Sequence, residues 1–403
     1  MQYKVIIFII LSVFTGFRVN GQEQPKPVPL PEMISMALEN NPGYKNSNLY
    51  IEKSRYEGRT AWEPGQTIFD WTHGQINSAL HDDYFLVAQE LGSPFMHASR
   101  AKVLKDEREY YTLLRDKTEK GIRRDISIAY NDWLYYATIE RITDLTLGYL
   151  EKAAGYSGLQ YTTGESSLLS KMLMETKYLD MGSYRKSVAN LKFDSQVELN
   201  KLIFSEILII PSDTALLIRD DSLILSHDFS TNQSSPELKL AGQMKNIAQS
   251  NLGYQRSVIS PTLRAGYFNQ KIDHVSGFDG WQLGVGFPLW FFPQRSRIQM
   301  AMIDRSIAEN RYNYERTATN YDLMTLYNKL RLLNERIEFF QNRMLLSAAT
   351  IEDNAVKMYQ SGEIGYIEYI QNIITANKSR EDYWTLVREH NQVIYQIEYY
   401  LNE

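Results

Sequence analysis

The sequence predicts a mainly α-helical chain with a small β part: very long antiparallel helices, two β-hairpins and a two-fold internal repeat. Three observations predict it. Tyr161-Thr162-Thr163-Gly164-Glu165 recurs as Tyr359-Gln360-Ser361-Gly362-Glu363, 198 residues further on, and long helical patterns flank both copies. Self-similarity of this kind marks a chain built from repeated units. From Arg295 to Met358 there is neither Pro nor Gly, and Leu330, Leu333, Ile337, Phe340, Met344, Ala348, Ile351, Ala355 and Met358 recur at three- and four-residue steps, the spacing of a helical stripe. Finally, Trp281, Leu283, Val285, Phe287 and Leu289 alternate with Gln282, Gly284, Gly286 and Pro288, the period of a strand with one apolar face.

Lys4 precedes an apolar run from Val5 to Leu11, continued by Val13 and Phe14, and small residues follow at Val19 and Gly21. This is the pattern of a secretory signal over residues 1–21, cleaved before Gln22, and the run is too short to span a bilayer. Pro25, Pro27, Pro29 and Pro31 then break regular structure. Pro31-Glu32 opens a helix with Ile34, Ala37 and Leu38 on its stripe, ending near Asn41-Pro42. A weaker strand pair is expected at about Gln66 to His73 and Asp83 to Leu91, around a Gly74 to Asp82 loop, mainly because the repeat demands it. The Gly92-Ser93-Pro94 turn leads into a long helix from about Phe95 to Gln160, with Ile139, Ile142, Leu145 and Tyr149 on its stripe. Gly121, Gly148, Gly155 and Gly158 loosen it. A reversal and a second helical run to about Phe204 complete a first repeat, residues 22–205.

Residues 206–235 form a connector. Ile207 to Phe229 reads as short strands or a small helix beside the rod, and Ser230 to Ser235 as a polar link. The second repeat, 236–403, echoes the first. Pro236 stands at a first helical position, as Pro31 does, where its missing N–H costs nothing. Thr262 to Asn269 pairs with the Trp281 to Leu289 strand across a loop holding His274, Ser276, Gly277, Asp279 and Gly280. A long helix follows from Arg295, then a reversal at Gly362 and a helix to about Leu401. At 1.5 Å per residue, about sixty helical residues reach roughly 90 Å, so such helices pack along their length in a rod. At each reversal Gly supplies a positive φ, and the following Glu is expected in the first turn of the next helix, where the helix dipole favours it. Two hairpins are too few to close a barrel from one chain, so a membrane barrel has to be shared between protomers.

Composition narrows the function by exclusion. With no Cys, there is no disulfide, thiolate metal site or lipid-modified cysteine. A formal net charge of -5 gives no basic footprint for nucleic acid. His73, His81, His97, His227, His274 and His390 are scattered, and no phosphate loop or nucleophile elbow occurs, so neither a cofactor nor catalysis is expected. Methionines such as Met300 and Met344 sit at apolar helical positions and suit core packing better than metal relay. No helical run is apolar enough to cross a membrane, which leaves a soluble exported protein or one inserted as β-strands.

In their order, these elements resemble the TolC-like outer-membrane efflux channel family, the outer membrane factors. The resemblance rests on Leu30-Pro31-Glu32 through Ala37-Leu38-Glu39-Asn40-Asn41-Pro42 and on the two Tyr-x-x-Gly-Glu copies. Ser260-Pro261-Thr262-Leu263-Arg264-Ala265-Gly266-Tyr267 and Gly284-Val285-Gly286-Phe287-Pro288-Leu289 add to it. It covers nearly the whole mature chain. It implies a homotrimer whose hairpins make one β-barrel in the outer membrane above a coiled-coil α-barrel in the periplasm. On that view Trp281, Leu283, Val285, Phe287 and Leu289 face lipid. The reversals, Thr163-Gly164-Glu165 and Ser361-Gly362-Glu363, become tips on which a periplasmic adaptor protein docks to join an inner-membrane pump. The family's acidic pore constriction falls on Glu368, with Gln371 in place of a second acid, so a ring of Glu368 alone is weaker, though it would still attract cations. The implied function is a passive duct for small molecules or metal ions, with type I protein secretion as the nearest variant. A soluble periplasmic coiled-coil adaptor or scaffold is the competing reading, and it gives no use for the apolar strand face or for Trp290, Phe291 and Phe292, which look like an interfacial girdle.

Overall fold

The computed structural model describes residues 25–225, 234–289 and 291–401. The signal segment, part of the 206–235 connector and Trp290 lie outside the described residues. Proline does not exclude a strand in the lead: β1 (Lys26–Val28) pairs in parallel with β4 (Ile209–Pro211). Only one side of so short a strand is bonded, so the missing N–H of Pro27 is tolerated. Helix α1 (Leu30–Asn40) starts with Pro near its N-terminus and ends where expected. The chain then re-enters a helix at once. The Asn41 side chain accepts from the Gly43 and Tyr44 amides and caps α2 (Pro42–Arg59), so Pro42 begins a helix as well as closing one.

β2 (Thr67–Gly74) and β3 (Asp82–Gly92) form the first hairpin, and β5 (Thr262–Ile272) and β6 (Val275–Gly286) the second. The hairpins join through β3 and β5 into one antiparallel sheet of order β2-β3-β5-β6. The expected Gly- and Asp-rich loop of the second hairpin shrinks to two residues, Asp273 and His274, both at positive φ. Two consecutive left-handed residues make the turn whose twist matches the flanking strands. Ser276, Gly277, Asp279 and Gly280 therefore lie in β6, and that strand ends at Gly286, short of Phe287 and Leu289.

Helix α3 (Pro94–Thr163) runs unbroken for 70 residues, about 105 Å; its four glycines do not interrupt it because neighbouring helices pack along it. The others are α4 (Leu168–Ile203), α5 (Ser222–Leu225), α6 (Pro236–Ser257), α7 (Phe292–Phe339), α8 (Leu345–Gln360) and α9 (Tyr366–Leu401). A single π-helical turn, Phe340–Met344, joins α7 to α8 without breaking the rod. On the strand side of the molecule the packing order is α2-α3-α6-α7; on the reversal side it is α4-α3-α9-α8.

The main core lies where these two layers meet. Ile126, Tyr130 and Leu134 of α3 pack there with Leu323, Leu330 and Leu333 of α7, Val387, Ile394 and Ile397 of α9, and Met33 and Ala37 of α1. Buried Asn391 and half-buried Arg388 are polar groups at this waist that are paired. Asn391 donates to the Asn131 side chain and the Leu217 carbonyl and accepts from the Arg219 amide. Arg388 holds Asp132 through two bonds of 2.8 and 3.1 Å. Connector, α3 and α9 are thereby fixed in register, because an unpaired amide in this core would be costly.

Candidate functional site

The two reversals have the same backbone construction. Gly164 and Gly362 are left-handed, at φ 79 and 77. The Glu165 amide reaches back to the Gln160 carbonyl (2.8 Å) while that of Gly164 bonds Tyr161; likewise Glu363 bonds Met358 (2.9 Å) and Gly362 bonds Tyr359. This pair of bonds satisfies the last carbonyls of a helix that ends on glycine. Both glutamates belong to the turn itself, since the next helices begin at Leu168 and Tyr366. Two further residues, Ser166-Ser167 and Ile364-Gly365, separate each glutamate from the next helix, so the expected place of Glu in the next first turn is not met. Thr163, Gly164, Glu165, Ser361, Gly362 and Glu363 are all exposed, and the Ser361 hydroxyl donates to the Glu363 carboxylate at 3.0 Å.

Glu368 and Gln371 follow on α9, three residues apart and both exposed on one face, while Ile370 and Ile373 are buried on the other. A tyrosine cluster unforeseen in the sequence backs this segment. Tyr359 stacks on Tyr369 at 4.9 Å, Tyr366 lies 5.2 Å from Tyr359, and Tyr156 of α3 lies 5.9 Å from Tyr366. Burial, reinforced by the neighbouring phenols, pushes the Tyr366 hydroxyl above its ordinary value. Tyr359, Tyr366 and Tyr369 are close in sequence, and the fold brings Tyr156 of α3 to them.

The sheet has two unlike faces. Its register puts Phe69, Trp71, Phe85, Val87, Leu263, Tyr267, Trp281, Leu283 and Val285 on one side. Trp281 and Leu283 are 83% and 86% exposed there. The other side carries Asp70, Thr72, Glu90, Arg264, Gln270, Gln282 and four glycines beside Ile68, Tyr84, Leu86, Ala88, Phe268 and Phe278, and it is crowded: a Cβ on Gly266 would meet Ala88 and the Val87 carbonyl at 3.2 Å. Crowding identifies the concave side. Apolar outside and polar inside is the pattern of a membrane barrel rather than of a soluble sheet. Phe287 and Leu289 are exposed just beyond β6.

Among the described residues, each layer also ends on an edge element with no further strand or long helix beyond it. β2, α2 and α4 bound one side, β6, α7 and α8 the other, and the edge helices expose Leu49 and Tyr56 of α2, Leu179 and Phe193 of α4, and Ile303, Ile307 and Met324 of α7. Met300, expected in a core, is among these exposed residues. Among the described residues no three His, Asp or Glu side chains are grouped to hold a metal ion, and no helix is long and apolar enough to cross a membrane.

Long helical hairpins in two layers, capped by a curved sheet with an apolar convex face, define the fold of the TolC-like outer-membrane channels. Solved structures agree on that fold. A crystal structure of CusC, described with transmembrane channel formation, is similar at TM-score 0.75 and 15% identity, over 96% of this chain and 95% of that one. The outer membrane protein VceC of Vibrio cholerae gives 0.73 and 14%, over 92% and 95%; the Campylobacter jejuni CmeC outer membrane channel gives 0.70 and 12%, over 92% and 85%. No protein-family model matches the sequence, and a search of curated proteins gives no match.

Proposed function

We propose that the chain is the outer-membrane channel of a tripartite efflux or export system: a passive duct, without chemistry of its own, for small molecules or metal ions. The observation that carries this reading is an apolar band on the convex face, Phe69, Val87, Tyr267 and Trp281 in register across all four strands, set against a concave face that holds Asp70, Thr72, Glu90, Arg264, Gln282 and four glycines. A sheet of four strands cannot close on itself, and its free edges cannot lie in hydrocarbon, where unpaired backbone groups are too costly. Other copies must supply the closure. The first repeat forms one edge at every level and the second repeat the other, so copies join head to tail and the contact generates a ring. We take the ring to be a homotrimer, four strands from each copy, with the helices as a periplasmic cylinder.

The reversals are then the periplasmic tips on which an adaptor docks, coupling the duct to an inner-membrane pump. Glu368, with Gln371 beside it, lines the narrowest part of the pore, and Trp281, Leu283 and Val285 meet outer-membrane lipid, with Phe287 and Leu289 at its inner boundary. A soluble adaptor is disfavoured by the same convex face, which would be left bare in water. The test is to fractionate the full-length protein, compare its unheated and heated gel migration, and record it in a planar bilayer. A heat-sensitive trimer in the outer membrane that conducts ions is expected; a soluble, non-conducting periplasmic protein overturns the reading.

A further inference from the structure

The concave face changes character along the strands. Nearest the helices it carries Glu90 and Arg264, paired in register, and Ile68 beside Ala88. The next two levels toward the hairpin turns carry Tyr84, Leu86, Phe268 and Phe278 beside Asp70, Thr72 and Gln270. Tyr84 and Phe268 stack with ring centroids 5.9 Å apart at 24°. Phe268 lies over Gly280 so closely that a Cβ there would meet its ring at 2.9 Å, which fixes the ring in place. Phe278 stands on the same face, exposed. Between Tyr84 and Phe278, in register with both, is Gln270, only 8% exposed, whose Nε2 has no hydrogen-bond partner. A water-filled lumen calls for polar inward residues, and a buried amide donor calls for an acceptor.

We propose that Tyr84, Phe268 and Phe278, around the Gln270 amide, form a solute-recognition collar just inside the outer mouth of the duct, and that the cargo it retains is planar, apolar and carries a hydrogen-bond acceptor such as a carbonyl. This rests on the channel reading, which turns the concave face to the lumen. The rings offer a stacking surface to a flat solute, and the Gln270 N–H donates to the solute's acceptor. Asp70, opposite Leu86 on the neighbouring strand, sets neutral solutes above anionic ones.

Coumarin, planar with a lactone carbonyl, is the probe, added on the outer side to single channels of the purified full-length oligomer. Transient blockades are expected whose dwell time falls about threefold to tenfold in Phe278→Ser, the loss of one aromatic contact. A similar fall is expected in Gln270→Leu, which removes the donor. Glucose should block neither wild type nor variants. Phe278 packs little within the chain, so its replacement leaves the sheet intact, and both variants are to be compared as oligomers of unchanged gel migration. A conducting wild type whose coumarin dwell time is the same in both variants, or which glucose blocks equally, overturns the collar and leaves the duct standing. A protein that never conducts overturns both.

Discussion

At the scale of single residues, backbone conformation and polar satisfaction decide which positions tolerate change. Gly362 is left-handed in open space, with nothing within 4 Å of an added Cβ. Gly362→Val therefore meets no clash and costs only conformational energy, about 1–2 kcal/mol for a residue held left-handed. The strain is local to the tip, so adaptor coupling should fall while oligomer insertion is kept; efflux assays beside gel migration check this, and normal efflux counts against the tip assignment. Asp82 does the opposite job at the far end. Its carboxylate, with the residue fully buried, accepts from the Asn77 and Ser78 amides, the Ser78 hydroxyl and the Asp273 amide, tying the two hairpin turns together. Asp82→Asn replaces an acceptor by a donor facing donors. Faster hydrogen exchange is expected at Asn77, Ser78 and Asp273 and none at Gly164 or Gly362. Gly362 was legible in the sequence because glycine after a helical pattern has few other uses. Asp82 was not, because its partners come from both hairpins.

At the scale of elements, periodicity revealed what is local and missed what is shared. The long helices follow from their periods almost to the residue, and the weak Gln66 to Leu91 pattern, expected mainly from the repeat, gives β2 and β3. The short second turn escaped notice because Asp273 and His274 are not the glycines that left-handed turns usually recruit. The π-helical turn at Phe340–Met344 has no composition signal at all. Helix junctions depend on side chains far apart in sequence, and Glu237 is an example. At the start of α6 it accepts from the Tyr399 hydroxyl of α9 (2.5 Å) and lies 3.4 Å from Lys117 of α3. Burial acts to raise its pKa, but the Tyr399 bond, its own backbone amide and Lys117 outweigh that and hold it below the usual carboxylate value. A depressed carboxylate contributes stability that is full above its unfolded pKa and is lost as pH falls through the folded one. Glu237→Gln should accordingly lower the unfolding temperature at neutral pH, and the difference from wild type should vanish in acid below the folded pKa. A pH series of melting curves checks this, and a constant difference at every pH would assign the effect to packing rather than charge.

At the scale of the whole molecule, one chain is an incomplete object. Its waist has a closed core, yet the edge helices leave apolar stripes in water along rods of about 100 Å. Such stripes on a monomer invite association. Part of this was expected from the sequence: two similar halves from the repeat, and a shared barrel from the strand count. Which helices form the edges was beyond it, since the orders α2-α3-α6-α7 and α4-α3-α9-α8 are set by contacts across the repeats. If closure is head to tail, Ile303 and Ile307 of α7, each 60% exposed in the single chain, are buried against the first-repeat edge of the next copy. The double variant Ile303→Asp, Ile307→Asp puts two unpaired carboxylates into that contact, at several kcal/mol each, but touches no core residue of its own chain. Helical content should stay as in wild type while the heat-sensitive oligomer band is replaced by monomer and conductance is lost. Because the contact is heterologous, one defective edge leaves the other intact, so mixing wild type with excess variant should cap wild-type copies in open, incomplete assemblies and lower conductance below that of the same amount of wild type alone. An unaltered oligomer in the double variant would place the subunit contact elsewhere and remove α7 from the edge.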